Sequence, residues 1–278
     1  MERIQQGRSA TLSHTFYQDG VATNPSPDVA TVTISRADGT AVVTNAAATE
    51  AGVGVVTYTL TPTQTALLDT LTVSWTASFG GLPQVFTMIV EVAGDFLFTI
   101  SEMRAQSTKL ANVTDYPVAK ITAMRTLVEK AMEKRVGFAL VPRYERETAS
   151  ATSGVLLPRW PYVRAIRSAT TTSGTLTAGE LAALTTDGVS VTGYSWPAGN
   201  VTVGYEHGRG NTDPEAGLAA MMLAKAWLMS GPVDDRALGF ANESGGSFAL
   251  ATPGRSGSSF GLPFVDAFIS ENRLVAVG

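Results

Sequence analysis

The chain has 278 residues, 44% of them hydrophobic, with 27 glycines, no cysteine and a formal net charge of -4. That length can bury two ordinary cores, and the composition belongs to a β-rich globular protein rather than to a disordered one. Without cysteine, disulfide scaffolds and thiolate metal sites are excluded.

The opening residues, MERIQQGRSATLSHTF, contain no apolar h-region, so no signal peptide is expected. No run approaches eighteen uninterrupted apolar residues, so no membrane span is expected either. The mild net charge hides an uneven layout. Residues 1–95 carry 3 basic and 8 acidic side chains, residues 96–168 carry 12 and 6, and residues 169–278 carry 5 and 10. A basic middle between acidic ends suits self-association or a polyanionic partner.

Residues 9–94 alternate apolar residues with Thr or Ser at period two, broken by turn chemistry at Asp19-Gly20, Pro25-Ser26-Pro27 and Asp38-Gly39. The pattern predicts a small antiparallel sandwich over residues 1–95. Val32 and Ile34 should face inward, and Leu71, Val73, Trp75 and Ala77 should share one buried face. The series ISRADGT, GVGVVTYTLTPTQ, LTVSWTASFGG and VFTMIVEVAG resembles the immunoglobulin-like sandwich that tailed bacteriophages attach to structural proteins.

After Gly94-Asp95 the period changes to about 3.6. Thr99 and Glu102 fit a capping box opening a short helix that reaches Lys109 or Leu110. A longer helix is expected after Asp115, with Pro117 in its first turn and Gly137 as its stop. Val118, Ile121, Met124, Val128 and Met132 should form its apolar stripe, with Arg125, Glu129 and Glu133 among the charges placed elsewhere. Residues 138–148 read as a strand. The stretch VLLPRWPYVRAIRSATT reads as an extended segment, a rigid break at Pro158 to Pro161, and a strand from Tyr162 to Ala169.

These two basic segments hold the residues proposed for subunit or polyanion contacts: Arg143, Arg146, Arg159, Trp160, Arg164 and Arg167. Guanidinium forks suit carboxylate or phosphate partners. Strands continue through GVSVTGYSW and NVTVGYEHG. A nearly uncharged helix follows, with Asp213 as N-cap and Pro214 at N1, and so little charge implies burial on most sides. Residues 233–278 form an arm rich in Gly, Ser and Ala that ends in a short helix from Pro263. At the end of the arm and on that helix, Phe260, Leu262, Phe264, Val265, Phe268 and Ile269 are the candidate docking residues. Burying Phe264, Val265, Phe268 and Ile269 offers roughly 6 to 10 kcal/mol, and docking onto another subunit or protein is the favoured use of it.

Taken in order, FTISEMRAQ, LLPRWPYVRAIRSATTTSG, VTVGYEHG, DPEAGLAAMMLAKAWL and GLPFVDAFISENR resemble the head-to-tail connector, or adaptor, proteins of long-tailed bacteriophages. The resemblance implies a multi-domain α+β chain. An immunoglobulin-like sandwich at 1–95 precedes a helical and β-hairpin adaptor domain at 96–232, then a C-terminal arm and docking helix at 233–278. It further implies a structural protein of the virion neck, made in the host cytoplasm. Its subunits would form a ring, dodecameric in the family, beneath the portal protein. The ring would meet a stopper or tail-completion protein on its other side and pass double-stranded DNA without sequence-specific binding. The alternative is a surface-binding module whose sandwich recognises carbohydrate or protein through Trp75, Tyr58 and the Ser78–Pro83 loop.

Enzyme chemistry finds little purchase. The two histidines are His14 and His207, and Glu206 beside His207 would point to the opposite face of a strand. Asp234-Asp235 lacks further oxygen ligands for a cation, and Gly204 to Gly208 lacks the Lys and Ser/Thr of a phosphate loop. No catalytic, cofactor or metal residue is assigned, and no cofactor is expected.

Overall fold

A computed structural model describes residues 2–26, 29–152, 154–210, 213–229 and 260–274. The chain groups into two units, Met1–Asp95 with Pro142–Gly208, and Phe96–Val141 with Arg209–Gly278. Residues 142–208 thus join the N-terminal strands rather than the helices with which the expected 96–232 domain placed them.

Among the described residues, the N-terminal part of the first unit forms β1 (Glu2–Gln5), β2 (Ala10–Thr15), β3 (Tyr17–Gln18), β4 (Val21–Ala22), β5 (Thr31–Ser35), β6 (Ala41–Ala47), β7 (Thr49–Gly52), β8 (Val55–Leu60), β9 (Asp69–Phe79) and β10 (Leu82–Ala93). One sheet runs β1-β10-β9-β5-β6, a second runs β2-β8-β7, and β3-β4 is a separate ribbon. Period-two alternation fixes which side faces in: Leu71, Val73 and Trp75 on β9 and Val32 and Ile34 on β5 are fully buried, joined by Leu12, Val56 and Leu60 from the second sheet in one core. Asp38-Gly39 turns the β5-β6 hairpin as expected, Gly39 taking a φ of 89° and Asp38 accepting from Thr40 N at 2.8 Å.

The other sheet of this unit is built from β11 (Arg143–Thr152), β12 (Val155–Leu157), β13 (Val163–Thr171), β14 (Gly174–Thr175), β15 (Thr185–Thr186), β16 (Val191–Thr192) and β17 (Gly199–His207), in the order β14-β13-β17-β11-β12-β16-β15. The short helix α4 (Ala178–Ala182) lies between β14 and β15 in the chain and starts on a Thr177–Glu180 capping box. The strand expected over 138–148 begins only at Arg143, and Pro142 accepts from Gly94 N at 2.8 Å instead. Ala149, Ala151, Leu156, Val163, Ala169, Val201, Val203 and Tyr205 form the core of this sheet with Trp196.

The second unit is helical: α1 (Ile100–Ala105), α2 (Thr108–Ala111), α3 (Val118–Val136), α5 (Pro214–Met229) and α6 (Pro263–Asn272). The capping box is present, Thr99 Oγ1 accepting from Glu102 N at 3.1 Å and Glu102 Oε2 from Thr99 N at 2.7 Å. The helix expected to run on to Leu110 is broken, because Ser107 caps a new turn through Lys109 N. In α3, Ile121, Val128 and Met132 are buried, but Val118 is exposed and Arg125, Glu129 and Glu133 are buried as well. These three lie four residues apart and so make a second buried stripe, on which Arg125 and Glu133 meet backbone or aromatic partners rather than water. Arg125 donates to Phe98 O at 3.2 Å and lies 3.4 Å from the Phe96 ring centre, while Glu133 accepts from Leu140 N at 2.9 Å. Gly137 ends α3 with φ 88° and donates to Glu133 O.

Candidate functional site

The arginines proposed from sequence separate into two kinds. Within the first unit, Glu91 on β10 and Asp69 at the start of β9 are carboxylates with 5% and 2% exposure. Glu91 accepts from Arg3 Nε at 2.7 Å and lies 3.5 Å from Arg143 Nε. Asp69 accepts from Arg36 Nη1 at 3.0 Å and lies 3.6 Å from Arg167 Nη2. Each carboxylate thereby holds one arginine from the sandwich strands and one from the other sheet. Arg167 also donates to Leu68 O and stacks over the Tyr144 ring, and Arg146 donates to Ala37 O at 2.9 Å. Arg143 and Arg167 therefore serve ion pairs inside their own chain, where a desolvated charge must find its partner, and the exposed Arg146 also bonds within the chain. Arg159 and Arg164 are exposed, with Arg159 lying 5.4 Å over the Trp160 ring.

Trp160 belongs to a packed polar cluster. Its indole stacks on the His207 ring at 5.7 Å with an interplanar angle of 8°, and the Trp160 backbone N–H donates to Tyr205 Oη at 3.2 Å. Tyr205 in turn donates to Glu147 Oε1 at 2.9 Å, which also accepts from Arg159 N at 2.6 Å. This chain of bonds pins the rigid Pro158–Pro161 segment against β17 and β11. Burial, with nearby Glu147 and Glu145, raises the Tyr205 hydroxyl well above its ordinary range. Burial first, and the Arg143 guanidinium second, lower His207 to about 4. Glu206 lies 3.9 Å from Arg167, so the adjacent pair Glu206-His207 is divided between two environments as strand geometry requires.

His14 lies among Phe16, Phe86 and Trp75, and burial lowers its pKa. Trp75 is fully buried, so it cannot serve as the exposed ring of a ligand platform, and the Tyr58 hydroxyl accepts from Gln64 Nε2 at 3.1 Å. Among the described residues no group of three His, Asp or Glu side chains is placed to hold a metal ion, and no helix there is long and apolar enough to cross a membrane.

In the second unit the candidate docking helix packs on its own chain. Val265, Phe268 and Ile269 are buried in one core with residues of α3 and α5, and Phe260 and Leu262 pack partly buried against it. Of the six residues proposed for docking, Phe264 is the one that remains exposed, at 38%. The physical reason is that α5, being almost uncharged, has apolar surface to offer, and the helix finds it within the chain. Asp266, buried, accepts from Phe260 N at 2.8 Å and Gly261 N at 3.1 Å, and Leu274 N donates to Val136 O at 2.9 Å. The helix is thus fixed at both ends. The arm before it and Asp234-Asp235 lie outside the described residues.

Sequence reasoning passed over Asp69, although a signal was present. It shares the inward parity of Leu71, Val73 and Trp75, and a carboxylate in phase with a buried face needs a cation. Glu91 gave no such sign, because it points to the face that the β11 sheet covers.

No protein-family model matches the chain, and no curated protein does. Among solved structures it is similar to a chain in "Neck of empty GTA particle computed with C6 symmetry", with 18% identity over 66% of this chain and 92% of that one at a TM-score of 0.42. It is also similar to a chain in "Neck of native GTA particle computed with C12 symmetry", with 16% identity over 66% and 96% and a TM-score of 0.38.

Proposed function

We propose that this chain is a structural subunit of a phage-like particle neck, a head-to-tail adaptor that forms a ring below the portal and joins it to a stopper or tail-completion protein. The observation that carries this reading is the α5 helix. Even after α3 and α6 pack against it, Leu218 and Met222, one helical turn apart, are 42% and 38% exposed, and Met229 lies farther along the same face. A helix charged only at Glu215 and Lys225, with Leu218 and Met222 left outside its own core, has surface suited to a neighbour. The order of elements supports the same reading: α1, the β12–β13 segment, β17, α5 and α6 form where the adaptor-like motifs stand in the sequence.

In this proposal twelve copies surround a lumen through which double-stranded DNA passes without base-specific contact. The acidic overall balance fits a conduit, since many phosphate contacts would retain the genome through counterion release. The N-terminal sandwich would be an immunoglobulin-like extension on the outside of the ring. The named particle necks are where this reading places the chain. Burial of Trp75 weighs against the competing carbohydrate-recognition reading.

The test is to mix the purified chain with portal protein and image the complex by electron microscopy. A symmetric ring seated on the portal is expected. A chain that stays unassembled with the portal and is absent from purified particle necks would remove the proposal.

A further inference from the structure

In the second unit, Ala131, Lys134, Arg135, Phe260, Ile269 and Arg273 line a recess of about 400 Å³. Its cations come from two elements, the last turn of α3 and the residue that ends α6. Lys134, Arg135 and Arg273 are exposed, and among the described residues none of them is in an ion pair. The Arg135 guanidinium lies 5.9 Å from the centre of the Phe260 ring, which meets Trp227 edge-on at 6.0 Å. The floor is therefore apolar and fixed while the rim is cationic.

Basic residues at a helix end also answer the helix dipole, so that role must be weighed first. A helix C-terminus carries roughly half a negative charge. Two such ends amount to about one, against three full positive charges here. Glu133 and Glu271 stand in the same last turns but neither lines the recess, so its wall itself remains cationic and favours an anion. The recess falls in the size range of built ligand sites, far larger than one carboxylate needs. A short acidic stretch of polypeptide fits it, with carboxylates at the rim and aliphatic carbons on Phe260 and Ile269. A DNA duplex displays its phosphates on a convex surface and would reach only the rim.

We infer that Lys134, Arg135 and Arg273 form a carboxylate socket that receives an acidic segment of a second copy of this chain. The inference rests on the ring reading and supplies one of its contacts. Charge complementarity argues for a second copy: residues 96–168 carry twelve basic and six acidic side chains, while the flanks each carry twice or more as many acids as bases. Every copy thus brings both the socket and surplus carboxylates.

The probe is a fluorescent peptide of residues 231–239, GPVDDRALG, which contains the adjacent carboxylates Asp234-Asp235. It is titrated by anisotropy against the full chain, the K134E/R135E/R273E variant and a D234N/D235N chain. Saturable binding to the wild-type chain is expected, weakening as salt rises. Binding should fall at least about tenfold in the triple variant and with a peptide bearing Asn at both positions, as charge-assisted pairs require. Equal binding by wild type and triple variant, or none by any chain, overturns the socket. Binding only by the D234N/D235N chain overturns the second-copy assignment, because the chain would then fill its own recess. Tighter capture of a DNA duplex than of the peptide, lost in the triple variant, overturns it in favour of phosphate. Circular dichroism establishes that the triple variant is folded. Portal-bound rings formed by the triple variant, together with lost peptide binding, would remove the socket from the ring contacts and leave the adaptor reading standing.

Discussion

Asp69 Oδ2 stands 3.6 Å from Arg167 Nη2 and 3.0 Å from Arg36 Nη1, so one buried carboxylate joins a hairpin of the sandwich to a strand of the neighbouring sheet. It also accepts from the backbone N–H groups of Ala37 at 3.2 Å and Thr70 at 2.9 Å. Two charged and two neutral donors saturate a carboxylate, which is why its burial is tolerable.

Replacing Asp69 by Ala should therefore cost about 3 to 5 kcal/mol, because both guanidinium groups lose a buried counter-charge. The midpoint of urea unfolding followed by tryptophan fluorescence measures it. Arg146→Ala, which removes one exposed hydrogen bond to Ala37 O, should shift stability by no more than about 1 kcal/mol. Comparable costs for the two variants would refute the role given to Asp69.

His207 makes stability depend on pH with a definite sign. Its folded pKa is lowered to about 4 from the ordinary 6.5 of a histidine, so between these values the unfolded chain binds a proton that the folded chain does not. The contribution is complete above pH 6.5 and is lost as pH falls toward 4, amounting to about 3 kcal/mol at most. His207→Phe keeps an aromatic ring against Trp160 and removes the titration. The stability difference between the two proteins should change over that interval and be flat above it. A difference that does not vary with pH would contradict the burial of a neutral imidazole.

Gly217 sets two effects against each other. Alanine in a helix interior ordinarily gains about 1 kcal/mol over glycine. At this position a Cβ would lie 2.7 Å from the Leu97 carbonyl oxygen, a backbone atom that cannot swing aside. Gly217→Ala should thus destabilise the helical unit by about 1 to 3 kcal/mol, as overpacking does. Thermal unfolding checks the sign, and an increase in melting temperature would show that α5 is free to move away from Leu97.

The packing of α6 on its own chain predicts the behaviour of the isolated subunit. Phe268 is 3% exposed in the core formed with α3 and α5, so Phe268→Ala should cost about 3 to 5 kcal/mol. It should also increase amide hydrogen exchange across 263–272. Phe264→Ala, at an exposed position, should leave exchange unchanged. Rapid exchange of α6 in the unmodified protein would mean that the helix is docked only in an assembly.

Much of this molecule could be read from local chemistry. The alternation around Trp75 placed the sandwich core, Thr99 and Glu102 placed a helix start, Gly137 placed a stop, and Asp213-Pro214 opened α5, because each depends on residues close in sequence. The pairing of Arg167 with Asp69 spans about a hundred positions, and no spacing rule reaches across that distance. The same holds for α6, whose apolar stripe announced burial without naming the surface that would cover it. Sequence alone determined that the apolar stripes had to leave water; the tertiary structure decided what they met and that the Arg125, Glu129 and Glu133 stripe was buried with them, since the hydrophobic effect has magnitude but no direction, and only the folded chain brings distant charges within a few ångströms.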